Sequence, residues 1–151
     1  MATSIPNIRP AKCEDLAQVQ ALYRQLRPGD SELSVQQAAA SWQSIISDSR
    51  TCIVVAEVAG QLASTCAVGV NLSLANGARP FAVIEHVVTC AKFRRQGLSK
   101  RVLQFAIDWA WQQDCYKILL LSGEQLTQAH KLYQSVGFKA GIERGFVLKP
   151  N

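Results

Sequence analysis

Apolar residues along this chain follow two rhythms that meet near its middle. Residues 83–89 are apolar and β-branched, interrupted only by Glu85 and His86, which is the composition of a buried strand. From Leu98 the rhythm changes. Leu98, Val102, Phe105 and Trp109 recur on one helical face, and Leu103, Ala106 and Ala110 widen the stripe. Between the two lies RRQGLSKR, residues 94–101, a basic turn with one glycine. The unit reads as strand, basic glycine turn, helix.

The same reading extends over the rest of the chain. Residues 4–9 predict a short strand ended by Pro10. Residues 14–26 predict a helix with Leu16, Val19, Leu22 or Tyr23, and Leu26 at helical spacing, and with Glu14 and Asp15 in the first turn, where the dipole favours them. Pro28-Gly29-Asp30 breaks the chain. Ser34 followed by Gln37 is a capping-box signal opening a helix with Ala38, Trp42 and Ile45 on one face. Strands are expected over 51–58, 62–72 and 81–89. Ala59-Gly60 is a tight turn between the first two, and Asn76-Gly77 lies in the loop before Pro80. Short sequential connections make these an antiparallel meander. Residues 115–121 predict a strand that is parallel to 81–89, because a helix crosses between them. Residues 127–136 predict a short helix closed by Gly137. Phe138 begins a last strand region, and 145–149 ends the chain. The sum is one α/β domain over residues 1–151, with a mixed, mostly antiparallel sheet of six to seven strands and helices on both faces.

Composition narrows the setting. A chain of 151 residues, 48% hydrophobic and 18% charged, buries a real core. No long uncharged apolar run predicts a membrane span, and residues 1–10 hold no signal-peptide core. Five cysteines without C-x-x-C spacing read as small core-fillers in a reducing cytoplasm, so no disulfide frame and no metal site is expected. The net charge of +5 favours an anionic partner, and serves nucleic acid and an anionic cofactor equally.

The basic turn is the candidate chemistry. A helix start offers unpaired N–H groups and the positive end of a dipole. Gly97 permits close backbone approach, and Arg94, Arg95, Lys100 and Arg101 add charge, so the turn is a phosphate cradle. Neither the Walker pattern nor G-x-G-x-x-G is present. What stands here is R-x-x-G-x-S, with Arg94, Gly97 and Ser99 in the defined places, and further on Ala129-x-x-x-Tyr133-x-x-x-Gly137-Phe138. The first resembles the acetyl-CoA pyrophosphate loop of the GNAT superfamily of N-acetyltransferases, written Q/R-x-x-G-x-G/A. The second resembles that family's A-x-x-x-Y-x-x-x-G-F box. The element order is the family's order across essentially the whole chain. Ser99 departs from the usual glycine or alanine, and its hydroxyl could itself reach a phosphate. Cys90-Ala91 stands where Asp-Pro is frequent, which changes a turn rather than the chemistry. Ile84-Glu85 and residues 115–118 also resemble segments of glucosamine 6-phosphate N-acetyltransferases, and the likeness extends to aminoalkylphosphonate acetyltransferases.

The resemblance implies acetyl transfer from acetyl-CoA to the primary amine of a small molecule, by direct attack in a ternary complex. Tyr133 is then the general acid for the leaving thiolate, since a phenol is protonated at neutral pH. Glu85 is the candidate base, made better by partial desolvation. His86, placed on the opposite face by strand alternation, is the rival base. Family strands splay at Val87, Val88 and Thr89, whose backbone groups would meet the pantetheine arm, with the N–H near Val88 polarising the thioester carbonyl. Arg94, Arg95, Gln96, Gly97, Leu98, Ser99 and Lys100 would hold the pyrophosphate. Arg79 is a further candidate for an anionic substrate group, and specificity is expected in loops 28–34 and 72–80. A homodimer is frequent in the family. Readings from other classes are a basic nucleic-acid-binding module and a silent acyl-CoA sensor. No helix-turn-helix or RNA-binding signature supports the former, so no nucleic-acid partner is expected, and Glu85 with Tyr133 argues against the latter.

Overall fold

The computed structural model describes residues 4–151; the first three residues of the segment read for a leader lie outside the described residues. Its sheet has five strands in the order β1 (Asn7–Pro10), β2 (Thr51–Val58), β3 (Gln61–Asn71), β4 (Phe81–Thr89) and β5 (Ile118–Leu120). The first three junctions are antiparallel, and β4–β5 is parallel, as the helical crossover requires. Ala59 and Gly60, both at positive φ (49° and 80°), close the β2–β3 hairpin with the hand that suits strand twist. A short turn, α3 (Ala75–Ala78), left-handed at Asn76, Gly77 and Ala78 (φ 52°, 70° and 60°), leads into β4.

Helices α1 (Leu16–Leu26) and α2 (Val35–Ser47) cover one face of the sheet, and α4 (Leu98–Gln112) covers the other. Strand β2 therefore alternates between two cores. Cys52, Val54 and Ala56 pack with α4, while Ile53 and Val55 pack with Val19, Leu22 and Trp42. Two covered faces are why its apolar run is unbroken. The capping box of α2 forms with both arms: the Ser34 hydroxyl accepts from the Gln37 N–H (3.2 Å), and the Ser34 N–H donates to the Gln37 side chain (3.0 Å). At the sheet's β1 edge Arg9 donates to Asp15 and to Glu57, both at 2.7 Å, tying β1, the entry to α1 and β2 together.

Several expectations are corrected. The sheet has five strands rather than six to seven. After α5 (Thr127–Ser135) the chain turns at Gly137 and Gly141, both at positive φ (107° and 76°), and forms no further ladder. Part of the C-terminal segment lies near the end of β5, while Phe146, Val147 and Leu148 stay exposed. The Gly145 backbone lies against Leu121, and Lys117 pairs with Glu143 at 3.1 Å. Predicted strand 115–121 shrinks to Ile118–Leu120 for the same reason: its outer edge has no strand beside it. A groove of about 870 Å³ runs there, lined in part by Trp111, Ile118, Leu120, Ile142 and Phe146. On α4 the core face is Leu98, Val102, Leu103, Ala106, Ile107 and Ala110, with Phe105 and Trp109 at its half-buried flank. Cys13 is exposed rather than a core-filler, while the other four cysteines are buried and free. No helix among the described residues is long and apolar enough to cross a membrane.

Candidate functional site

Strands β4 and β5 part company in the middle of β4. Their parallel register holds at Ala82–Ile118, Val83–Leu119 and Ile84–Leu120 and ends there, whereas β4 continues to Thr89 paired only with β3. Where the strands separate, β4 bulges. Ala67 faces Glu85 but Thr65 faces Val88, so one extra residue stands opposite Cys66, and His86 takes a left-handed backbone (φ 55°). A bulge re-aims side chains. Strand alternation would set Glu85 and His86 on opposite faces; instead both turn toward α1, with His86 Nε2 3.6 Å from Glu85 Oε2. The imidazole also packs against the Tyr23 ring, with centroids 5.3 Å apart. Glu85 is not desolvated: its side chain is 60% exposed. Any role as a base rests on its place beside the gap and not on burial.

Tyr23 is the residue that sequence reasoning left as one more position in an apolar stripe. Burial pushes its phenol up to about 12, with a further push from Cys66. Tyr133 on α5 is half-buried on the opposite side of the sheet, edge-on to Phe138 (6.4 Å between centroids). Burial, and then Cys66, raise its phenol above 10 as well. Both phenols feel the one thiol buried behind the bulge. Tyr133 packs with the α4-side core and Tyr23 with the α1-side core, so the two phenols lie on opposite faces of the sheet. Only a positive-φ residue at position 86 could have signalled the contact of His86 with Tyr23, and nothing in its side-chain type does.

Val88 pairs with Thr65 in the β3–β4 ladder, and its carbonyl also accepts from Ser64 Oγ (3.1 Å). By alternation the groups that face the gap belong to Thr89 and, at the bulge, to Val87.

The cradle lies at the end of β4. Arg95 and Gly97 both have left-handed backbones (φ 64° and 72°), and alternation of hand in a tight turn gathers N–H groups into an anion nest. Gly97 is the N-cap of α4, and no side chain caps the helix, so its first N–H groups remain available. Thr89, Arg94, Gly97, Ser99, Lys100 and, from α5, Leu132 line a hollow of about 150 Å³ at this corner. Gln96 is exposed within the turn, and Leu98 is buried as the helix anchor. Lys92 and Arg94 make the corner electropositive: after the hydrogen bond from Gln25, they help hold the Cys90 thiol below its ordinary value. The nest, the free helix start and the positive field fit a pyrophosphate, and the gap above them fits an extended arm. Ser99 does not offer a loose hydroxyl, because its Oγ lies 2.5 Å from Thr89 Oγ1.

Other candidates fall away from this centre. Arg79 binds Asp114 and the Asp114 and Cys115 carbonyls, beyond the C-terminal end of α4 and so a helix length from the cradle. His130 Nε2 is 2.9 Å from the Gly123 carbonyl. Among the described residues no group of His, Cys, Asp or Glu side chains could hold a metal.

Comparison with known proteins gives the site a context. A family model described as Acetyltransferase (GNAT) family matches residues 16–138. The chain is similar to the structure of a candidate acetyltransferase from Agrobacterium tumefaciens str. C58, at 33% identity over 95% of this chain and 99% of that one, with a TM-score of 0.89. It is similar to glucosamine 6-phosphate N-acetyltransferase of Arabidopsis thaliana at 30% identity over 69 residues, 46% of each chain, so the match spans less than half of that relative. The fold, though not the sequence, is also that of aminoglycoside N-acetyltransferase AAC(6')-Iy solved with a bisubstrate analogue of coenzyme A (20% identity, 98% of this chain and 100% of that one, TM-score 0.81).

Proposed function

Because this chain belongs to the GNAT acetyltransferase family and is thus an acetyl-CoA-dependent acetyltransferase, we propose that it acetylates the primary amine of a small molecule by direct attack within a ternary complex. The observation that carries this reading is the gap between β4 and β5 opening onto the uncapped start of α4. An anionic head and an extended arm have one continuous path there, ending between Tyr133 and the Glu85–His86 pair.

When bound, acetyl-CoA supplies an activated acyl carbon and a thiolate leaving group. The protein's residues do the rest. Arg94, Arg95, Gln96, Gly97, Leu98, Ser99 and Lys100 hold the pyrophosphate through backbone N–H groups and charge. Val87, Val88 and Thr89 form the wall for the arm, and a backbone N–H of this stretch meets the negative charge that grows on the carbonyl oxygen. Glu85, with His86 beside it, draws the acceptor ammonium and takes its proton, leaving a lone pair to attack. Tyr133 gives its proton to the departing sulfur. Holding amine and carbonyl in contact supplies several kcal/mol of the acceleration.

The acceptor approaches from the α1 side, past Tyr23 and loop 28–34; Arg27 at the start of that loop already feels the Glu85 charge. The local likeness to a glucosamine 6-phosphate N-acetyltransferase favours an amino-sugar phosphate as one acceptor to try first. The basic turn is occupied by cofactor phosphates in this reading, so no nucleic-acid partner is invoked. Free cysteines suit a cytoplasmic protein. A homodimer is supported by the open outer edge of β5 beside the exposed Phe146, Val147 and Leu148.

The test is thiol release from acetyl-CoA against amino sugars and their phosphates, aminophosphonates, polyamines and amino acids. Release stimulated by one class, with intersecting double-reciprocal lines, is the expected result. Parallel lines would exclude the ternary complex, and no stimulation by any amine would leave the acyl-CoA sensor as the better reading.

A further inference from the structure

A row of three hydroxyls runs from the buried sheet to the phosphate corner. Ser64 on β3 is fully buried, and its Oγ lies 3.1 Å from the Val88 carbonyl and 2.8 Å from Thr89 Oγ1. Thr89 Oγ1 in turn lies 2.5 Å from Ser99 Oγ, in the first turn of α4. Each hydroxyl owns one proton. A carbonyl can only accept, so Ser64 donates to Val88. Thr89 must then donate to Ser64, and Ser99 to Thr89. With all three bonds made, every proton points inward. The outermost oxygen shows the cradle only lone pairs, which repel a phosphate.

We propose that Ser64, Thr89 and Ser99 form a reversible hydroxyl relay that reverses when an anion occupies the cradle. For Ser99 to donate outward to a phosphate oxygen, Thr89 must turn and donate to Ser99, and Ser64 must turn and donate to Thr89. No covalent bond changes and no proton is transferred; three O–H bonds rotate. The one contact given up is Ser64 to the Val88 carbonyl, which keeps its place opposite its register partner Thr65. Occupancy of the phosphate corner is thereby felt at Val88, in the strand beside the acyl group. This inference rests on the reading of the corner as the acetyl-CoA pyrophosphate site. It assigns positioning roles to Thr89 and to Ser64, which no phosphate touches.

The relay makes members of one chain act with opposite signs, which a plain structural strut would not do. Calorimetric titration with coenzyme A measures it in the wild type, Ser99→Ala, Ser64→Ala and the double variant. Ser99→Ala loses the outward bond and weakens binding by about fivefold, the size of one ordinary hydrogen bond. Ser64→Ala removes the inward anchor that must be surrendered, so binding tightens by about threefold, and unchanged binding overturns the relay. In the double variant the Ser64 effect vanishes. Acetylpantetheine, which lacks the phosphates, should bind all four proteins alike. Weakening by Ser64→Ala in parallel with Ser99→Ala overturns the relay while leaving the cofactor site standing. If Ser64→Ala does not fold, Ser64→Cys, a similar shape with a much weaker donor, carries the same sign test. A wild type that fails to bind coenzyme A overturns the site itself, and with it the relay.

Discussion

Tyr133 and Gly97 are the two residues on which the proposed chemistry leans most. The Tyr133 phenol is raised by burial and by Cys66, so it stays protonated through neutral pH and above its ordinary value. Tyr133→Phe should cut turnover by about 100-fold or more, the usual worth of a placed acid. Acetyl-CoA affinity should stay within a few-fold; steady-state kinetics with a binding titration separates the two, and unchanged turnover removes the acid role. At Gly97 the surroundings of an added Cβ are open, but the backbone is left-handed. Gly97→Glu therefore costs on the order of 1 kcal/mol in conformation and sets a carboxylate where phosphates dock. Coenzyme A binding should be abolished with a small change in Tm, and normal titration would dismiss the cradle. Glu85→Gln should lower kcat/KM by about 100-fold, the usual worth of a placed base. A much larger loss in His86→Gln than in Glu85→Gln would move the base to the imidazole. These residue types were legible in the chain. Their orientation was not: Glu85 and His86 share a face because a bulge inserts one backbone position, and no side-chain pattern announces it.

At the level of elements, the tie between β1, α1 and β2 gives a pH dependence with a definite sign. Burial pushes the Asp15 carboxyl up, but hydrogen bonds from Arg9 and the Lys12 N–H outweigh it, and the net shift is downward. A lowered folded value means the unfolded chain holds its proton to higher pH. The stabilisation is present above about 3.8 and is lost as pH falls through the folded value. Asp15→Asn should cost about 3 kcal/mol at pH 7, since it leaves Arg9 short of a largely buried partner. Urea unfolding at pH 7 and at pH 3 measures this, and the difference between variant and wild type should shrink at the lower pH. The alkaline side has the opposite sign. Burial raises Cys52 to about 11 and Tyr23 to about 12. Stability from these groups is intact below their unfolded values and falls as pH climbs from about 9 upward. Helix α2, the β2–β3 hairpin and the α4 crossover were each readable, because caps, turn residues and periodicity are local signals. Strand β5 was over-read, because its length depends on what lies beside it.

For the molecule as a whole, the unpaired side of β5 is the feature with most consequence. Phe146, Val147 and Leu148 are exposed next to it, and apolar surface beside an open strand edge invites association. Phe146→Glu should shift a dimer to monomer in light scattering at micromolar concentration while leaving the monomer folded; an unchanged mass would show that this edge is not where copies meet. The cofactor gap lies on the inner side of β5, toward β4 and away from this outer edge, so a monomeric variant should still bind coenzyme A.

What the sequence determined by itself was the order of elements as far as α5, the glycine turn that opens the long helix, and the pairing of a glycine-loop motif with a tyrosine box. All of these arise from contacts within a turn or two of chain, where residue type and spacing decide the outcome. Only the tertiary structure decided the five-strand count, the bulge that turns His86 beside Glu85 and onto Tyr23, and the hydroxyl row from Ser64 to Ser99. Each of these brings together groups that are distant in the chain, or depends on a register shift of a single residue, and pairwise geometry of that kind is set by packing rather than by composition.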